Sequence, residues 1–255
     1  MRPVQRVQLE AYGALAEVTE AGGATVLQTP TAPGSPMLNR VVGLGVDRPA
    51  TEDDVDAALA AIGVGVTFYV AVPPHAEPAE LPSWLEERGL EPGWGWMSFS
   101  RGPIDPPRFV TSLRLARAES AAEAAAFARI QRVAYDLPEE LEPVLALAPE
   151  RGWECWLALD GDEPAGAGAL FALDGVCYLG LGATLPEHRG KGAQGALLAH
   201  RIQRAGELGC DLVVTETGEQ RDDRPSNSYR NILRAGFVEG AVTANWLGTR
   251  HERRG

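Results

Sequence analysis

The densest run of chemically useful residues is 184–198, TLPEHRGKGAQGALL. A strand-like run ends at Thr184, and Pro186 keeps it from continuing as an interior strand. Arg189-Gly190-Lys191-Gly192 then opens a long helix rich in Ala and Leu. Glycines at 190, 192 and 195 let the backbone bend and let a ligand approach closely. The unpaired N–H groups of the first helical turn, with the helix dipole, form an anion site. Arg189 and Lys191 add positive charge, and Lys191 is the one lysine among 23 basic residues. This chemistry suits a pyrophosphate. The P-loop pattern is absent. A dinucleotide-binding turn is excluded too, because the preceding strand belongs to a meander and lacks the three-glycine turn.

Carboxylates form the second group. Glu216 interrupts the strand-like run VVTETGE, where an acid is costly unless it is partnered or functional. Glu219 lies in the following loop, and Glu154 sits between Trp153 and Cys155. The four histidines make no i,i+3 or i,i+4 ligand pair, so no metal site is expected. Cys155, Cys177 and Cys210 have no C-x-x-C spacing and read as small buried hydrophobes of a reduced, cytoplasmic protein.

Around these residues the chain is ordinary globular material of 255 residues, 45% hydrophobic and 23% charged, with a net charge of -12. The acidic balance argues against a general nucleic-acid binder and against a polybasic membrane anchor. No apolar run is long enough to span a membrane, and residues 1–13 have no apolar signal core. The preference for Arg, Ala, Gly and Pro points to a GC-rich bacterial source.

Patterning predicts a helix over 4–22, strands over 25–29 and 38–46, and a helix begun by Thr51 with an acidic first turn. A strand over 67–72, a helix over 81–88 and a strand over 94–100 follow. Residues 101–107, with three prolines, read as a linker. Beyond it come a strand over 108–114, helices over 120–135 and 139–148, and a three-strand meander over 153–159, 165–173 and 176–184. A helix over 192–208, a strand over 211–217, a helix over 227–234 and strands over 237–248 complete the order. The second half therefore reads β-α-α-β-β-β-α-β-α-β. WLEERGLEPGWGWMSF at 84–99 echoes NILRAGFVEGAVTANW at 231–246, a degenerate repeat whose 147-residue offset aligns Gly89 with Gly236.

The 184–198 segment resembles the coenzyme A signature of the GNAT N-acetyltransferases, Q/R-x-x-G-x-G/A after a strand ending V-x-P. The flanking element order fits that fold over roughly 111–248. The resemblance, with the repeat, implies an α/β (α+β) protein of two GNAT-like domains. Each would be a mixed, mostly antiparallel sheet flanked by helices. Residues 1–104 would be a degenerate copy without the phosphate loop, and residues 105–255 a catalytic domain binding acetyl-CoA, with no metal.

The resemblance also implies site residues. Gly182, Ala183 and Thr184 would lie on the splayed fourth strand, whose backbone bonds the pantetheine and acyl carbonyl. Arg189, Gly190, Lys191, Gly192, Ala193, Gln194 and Gly195 would wrap the pyrophosphate. Arg189 fits the Q/R position, whereas Gln194 departs from the final G/A. The family often places a Tyr acid four residues before the Gly of a G-F pair; here the pair is Gly236-Phe237 and that position is Ile232. Tyr229, one turn earlier, is the substitute candidate. Asn227 and Ser228 would cap their helix or touch pantetheine, and Glu216 is the first candidate for general base. The implied activity is direct acetyl transfer from acetyl-CoA to a primary amine of a small-molecule or protein acceptor, by a monomer or homodimer. A non-catalytic acyl-CoA sensor is the alternative. Aminoacyl transfer is a third reading, which the acidic charge disfavours.

Overall fold

The computed structural model describes residues 3–222 and 226–252. The elements are α1 (Pro3–Gly13), β1 (Glu17–Ala21), β2 (Ala24–Gln28), β3 (Arg40–Val42), α2 (Glu52–Ala60), β4 (Thr67–Val72), α3 (Leu81–Glu87), β5 (Glu91–Pro92), β6 (Trp96–Arg101) and β7 (Arg114–Arg117). They continue with α4 (Ala121–Tyr135), α5 (Glu142–Ala146), β8 (Glu154–Asp160), β9 (Glu163–Leu173), β10 (Val176–Thr184), α6 (Ala193–Glu207), β11 (Leu212–Gly218), α7 (Asn227–Arg234) and β12 (Val238–Thr249). Among the described residues no helix is long and apolar enough to cross a membrane.

Packing divides the chain into two units, and not at the expected boundary between 104 and 105. The first unit runs from Ala16 to Met97 and takes the chain from Ala241 onward. The second holds α1 through Leu15 and the chain from Ser98 to Gly240. The physical reason is burial. Val7 and Ala11 of α1 are fully buried, and Trp153 of the second unit donates its indole N–H to the Ala11 carbonyl at 3.0 Å. Trp246 near the other terminus is buried in the core of the first unit, with Val26, Val41, Phe68, Val70, Leu81 and Leu85.

In the first unit the strand order is β1-β2-β3-β4-β12, with β5 against β12. The first three strands are antiparallel, β3 and β4 parallel, and β4 and β12 antiparallel. The helix predicted over 4–22 stops at Gly13, because 17–21 instead forms a hairpin with β2. Gly22 and Gly23, at φ of 59° and 68°, make the tight turn between them. The predicted strand over 38–46 shrinks to Arg40–Val42, since Gly43 and Gly45 at φ of 88° and 72° leave extended backbone.

The second unit has the order β6-β11-β10-β9-β8-β7. The meander β8-β9-β10 is antiparallel, and β10 and β11 are parallel. The predicted order of strands and helices from the meander to β12 is the observed one. The predicted helix over 139–148 is a 3-10 turn followed by the short α5, which starts at the proline-bearing segment EPVLA. Side chains alternate across the sheet. Gly166 and Gly168 of β9 face α6, where added Cβ atoms would meet Ala193 and Arg201. Phe171 and Tyr178 lie beside Trp153 on the opposite face.

The strand predicted over 108–114 begins only at Arg114. The residues before it lie along α6, which presents glycines to them. Pro103 packs on Gly206 and the Phe109 ring on Gly195, and Thr111 donates its hydroxyl to the Lys191 carbonyl at 2.8 Å. A Cβ on Gly195 would lie 2.4 Å from Phe109 Cδ1. Gly195→Ala should therefore lower stability by about 1–3 kcal/mol through overpacking. In a Phe109→Ala background the same change should stabilise by up to about 1 kcal/mol, through helix propensity. Urea unfolding midpoints of the four proteins measure both; a destabilisation that is the same in both backgrounds would contradict the contact.

Candidate active site

The site begins where two parallel strands part. β10 and β11 are paired from Val176–Leu212 to Leu179–Thr215 and no further, although β10 runs on to Thr184 and β11 to Gly218. Thr215 closes the last rung by donating its hydroxyl to the Leu179 carbonyl at 2.8 Å. Beyond it β10 bulges. Its register with β9 shifts between Gly180 and Ala183, and Leu181 takes a left-handed φ of 51°, a conformation uncommon for a residue with a side chain.

Four successive carbonyls of the bulge are met by side chains. Arg201 donates to Gly180 at 3.0 Å, Gln131 to Leu181 at 2.6 Å, Tyr135 to Gly182 at 2.5 Å and Gln194 to Ala183 at 2.6 Å. Arg201 and Gln194 come from α6, and Gln131 and Tyr135 from α4, where their i,i+4 spacing puts them on one face. Arg201 is fully buried without a carboxylate. It is held instead by the carbonyls of Ala169, Gly180 and Leu197, and burial brings its pKa down to about 10. Its guanidinium remains charged at neutral pH. Desolvation of the Tyr135 hydroxyl raises that pKa. None of these four side chains stands out in the sequence beyond the departure at Gln194. The readable signals were Gly168, which leaves room for the Arg201 guanidinium, and two long polar residues one turn apart in an Ala-rich helix.

The glycine loop follows. A 3-10 turn at Pro186–His188 leads to exposed Arg189, and Gly190 and Gly192 have left-handed φ values of 85° and 84°. Gly190 is open on its would-be Cβ side. Gly192 caps α6 with no side-chain hydrogen bond and no acid in the first turn, so the helix leaves its first N–H groups for other acceptors. Ala193 is buried as the first helical residue.

Three residues of this loop have partners of their own. Lys191 ion-pairs with Asp160 of the β8–β9 turn, with His188 Nδ1 also 3.2 Å from that carboxylate. Gly195 accommodates Phe109 rather than opening the loop. Gln194 spans Ala183 and Thr184, reaching the Thr184 hydroxyl at 3.0 Å, and its Oε1 would lie 3.0 Å from a Cβ on Gly182. Its longer side chain therefore fastens the end of β10 to the start of α6.

Glu216 is the first β11 residue past the last rung. Tyr12 donates to its Oε1 at 2.6 Å and Gln8 to its Oε2 at 3.2 Å. The Tyr178 hydroxyl lies 2.7 Å from that of Tyr12 and 3.4 Å from Glu216 Oε1. The other carboxylates are placed elsewhere. Glu154 is buried and bound by Arg204 at 2.9 Å and by the Trp156 indole N–H at 3.0 Å. Glu219 lies 3.9 Å from Arg221.

The residues expected on α7 do not join the Glu216 cluster. Tyr229 is buried edge-on to Phe99 at 4.9 Å, and its hydroxyl donates to Glu239 at 2.6 Å. Burial and that carboxylate push its pKa up to about 12. The helix is capped by Ser226, which accepts from the Tyr229 N–H at 3.2 Å. Asn227 bonds Arg230, and Ser228 is exposed. Ile232 is buried, as an apolar residue at that position should be. Residues 223 and 224 of the run RDDR at 221–224 lie outside the described residues.

Residues 122–229 match the model of the acetyltransferase (GNAT) family. No curated protein matches the sequence. Among solved structures the chain is similar to a GCN5-related N-acetyltransferase from Kribbella flavida, with 22% identity and a TM-score of 0.68 over 98% of this chain and 96% of that one. It is similar to a GCN5-related N-acetyltransferase from Sphaerobacter thermophilus, with 14% identity and a TM-score of 0.59 over 72% and 60% of the two chains. A third is described as a tandem GNAT protein from the clavulanic acid biosynthesis pathway, with 14% identity and a TM-score of 0.56 over 88% and 78%. These likenesses establish the expected fold class of mixed, mostly antiparallel sheets flanked by helices. The segment that matches the acetyltransferase (GNAT) family model runs from α4 to the first turn of α7, and with it the parted strands and the glycine loop.

Proposed function

We propose that the chain is an acyltransferase that uses acetyl-CoA to acetylate a primary amine of a small-molecule or protein acceptor. The observation that carries this reading is the parting of β10 from β11 beside a helix start that leaves its own N–H groups unused. Acetyl-CoA, as substrate, would supply an acyl thioester. The loop fits its diphosphate at Gly190, Gly192 and Ala193, with Arg189 as the nearby positive charge, while Lys191 would have to leave Asp160 to contribute.

The residues of the chain then have two tasks. The bulge of β10 holds the reacting groups together, which removes much of the entropic barrier to a two-substrate reaction. Glu216 accepts the proton that the amine loses. The amine nitrogen attacks the acyl carbon, the C–N bond forms as the C–S bond breaks, and the thiolate leaves to be protonated from solvent.

The first unit reads as a second, degenerate copy of the same plan. What supports this is that, in chain order and with the two-residue β5 aside, β1-β2-β3-α2-β4-α3-β6 repeats β8-β9-β10-α6-β11-α7-β12, each series ending on a strand that joins the other unit's sheet, together with the left-handed glycines at 89 and 236 that end α3 and α7. At the start of α2 the anion site is filled from within. Thr51 and Asp54 form a reciprocal cap, and Glu52, Asp53 and Asp54 crowd the first turn, which would repel a phosphate. The acyl-CoA sensor remains as a second reading because Ile232 stands where the family's acid often lies and Gln194 where it has a small residue.

Thiol release from acetyl-CoA with a panel of amines tests the reading, and turnover on at least one amine is expected. Binding of acetyl-CoA without turnover on any amine would favour the sensor. Glu216→Gln should lower kcat by about 100-fold or more, as loss of a general base does, with acetyl-CoA affinity retained; normal kcat would remove Glu216 as base. Calorimetric titration should find one acetyl-CoA per chain, and two would contradict a degenerate first copy.

A further inference from the structure

Helix α1 precedes everything the family match covers, yet it supplies the partners of Glu216. We propose that Tyr12 and Gln8 of α1 are positioning residues that hold the Glu216 carboxylate for proton transfer; this rests on the reading of Glu216 as base given above. The two donors stand one helical turn apart and divide the carboxylate between them, Tyr12 on Oε1 at 2.6 Å and Gln8 on Oε2 at 3.2 Å. With Tyr12 donating to Glu216, the Tyr178 hydroxyl at 2.7 Å donates to Tyr12, so a chain of hydroxyls ends on the carboxylate. The two tyrosine rings pack with centroids 5.7 Å apart.

A glutamate has three rotatable bonds and ordinarily samples many rotamers. Fixing both oxygens selects one of them. The helix is itself fixed to the second unit. Trp153 bonds the Ala11 carbonyl at 3.0 Å, and Arg151 bonds the Ala14 carbonyl at 2.8 Å. This anchoring holds α1 beside Glu216, the first β11 residue past the last rung.

The test is a double-mutant cycle in the full chain with Tyr12→Phe, Glu216→Gln and both together. Thiol release is followed with acetyl-CoA and two acceptors, the best amine of the panel above and ethylamine, which is small enough for any acceptor pocket. Tyr12→Phe keeps the ring packing and should lower kcat about 10- to 100-fold, the scale of a misplaced catalytic group, with the KM for acetyl-CoA and the melting temperature unchanged. Gln8→Ala should give a smaller loss of the same kind. In the Glu216→Gln background Tyr12→Phe should have no further effect, because residues that act as a unit are not additive. Wild-type kcat in Tyr12→Phe, a loss expressed in KM, or an equal loss in both backgrounds overturns the positioning role and leaves the base in place. Normal turnover in Glu216→Gln, or no thiol release with any amine, overturns the base reading and the proposal with it.

Discussion

A strand that leaves its neighbour exposes backbone groups that the sheet would otherwise satisfy, and an unpaired buried carbonyl costs free energy on the scale of a lost hydrogen bond. β10 meets this constraint with side chains. The carbonyls of Gly180, Leu181, Gly182 and Ala183 each accept from a long polar residue, two reaching from α4 and two from α6. The helices on both faces are thereby pinned to one short stretch of strand. Glycine at 168 makes room for the Arg201 guanidinium, glycine at 180 for the Trp153 ring and glycine at 182 for the Gln194 amide. Much of the second unit is arranged so that this gap in the sheet can exist without buried, unsatisfied carbonyls.

The same constraint separates structural from chemical roles among residues that look alike in sequence. Arg201 and Lys191 both lie near the glycine loop and both are cationic. Arg201 is buried and serves carbonyls, whereas Lys191 is on the surface and paired with Asp160. Gly190 and Gly192 shape the loop through left-handed backbone, while Gly195 serves the packing of Phe109. Among the carboxylates, Glu154 is neutralised by Arg204 and Arg117, whereas Glu216 accepts from the Tyr12 hydroxyl and the Gln8 amide.

Local pattern carried the sequence reading a long way. The meander, the bounds of β10 and α7 and the glycine-led start of α6 were legible because turn residues and apolar periodicity mark them. Glu216 was legible as an acid out of place in a strand. Its partners were not, because Tyr12 and Glu216 are 204 positions apart and nothing in α1 distinguishes a helix of the first unit from one of the second. The direction of the Tyr229 hydroxyl was not legible for a related reason. Helical spacing gave its face, but Glu239 on the next strand decides where its hydroxyl points. The strand at 17–21 was read as part of a helix over 4–22, because the helical pattern ran on through Leu15, although Gly22-Gly23 was visible as a turn.

The division of the chain into units has a consequence for biosynthesis. The first unit takes its last strand from residues beyond Ala241, and the second takes its first helix from residues before Ala16. Ribosomes deliver a chain from its N-terminus, so the edge of β4 that β12 covers stays open until β12 has been made. The first unit therefore has to wait for a strand made after the second, and a product truncated before β12 would carry an unpaired strand edge, a feature that promotes association between chains.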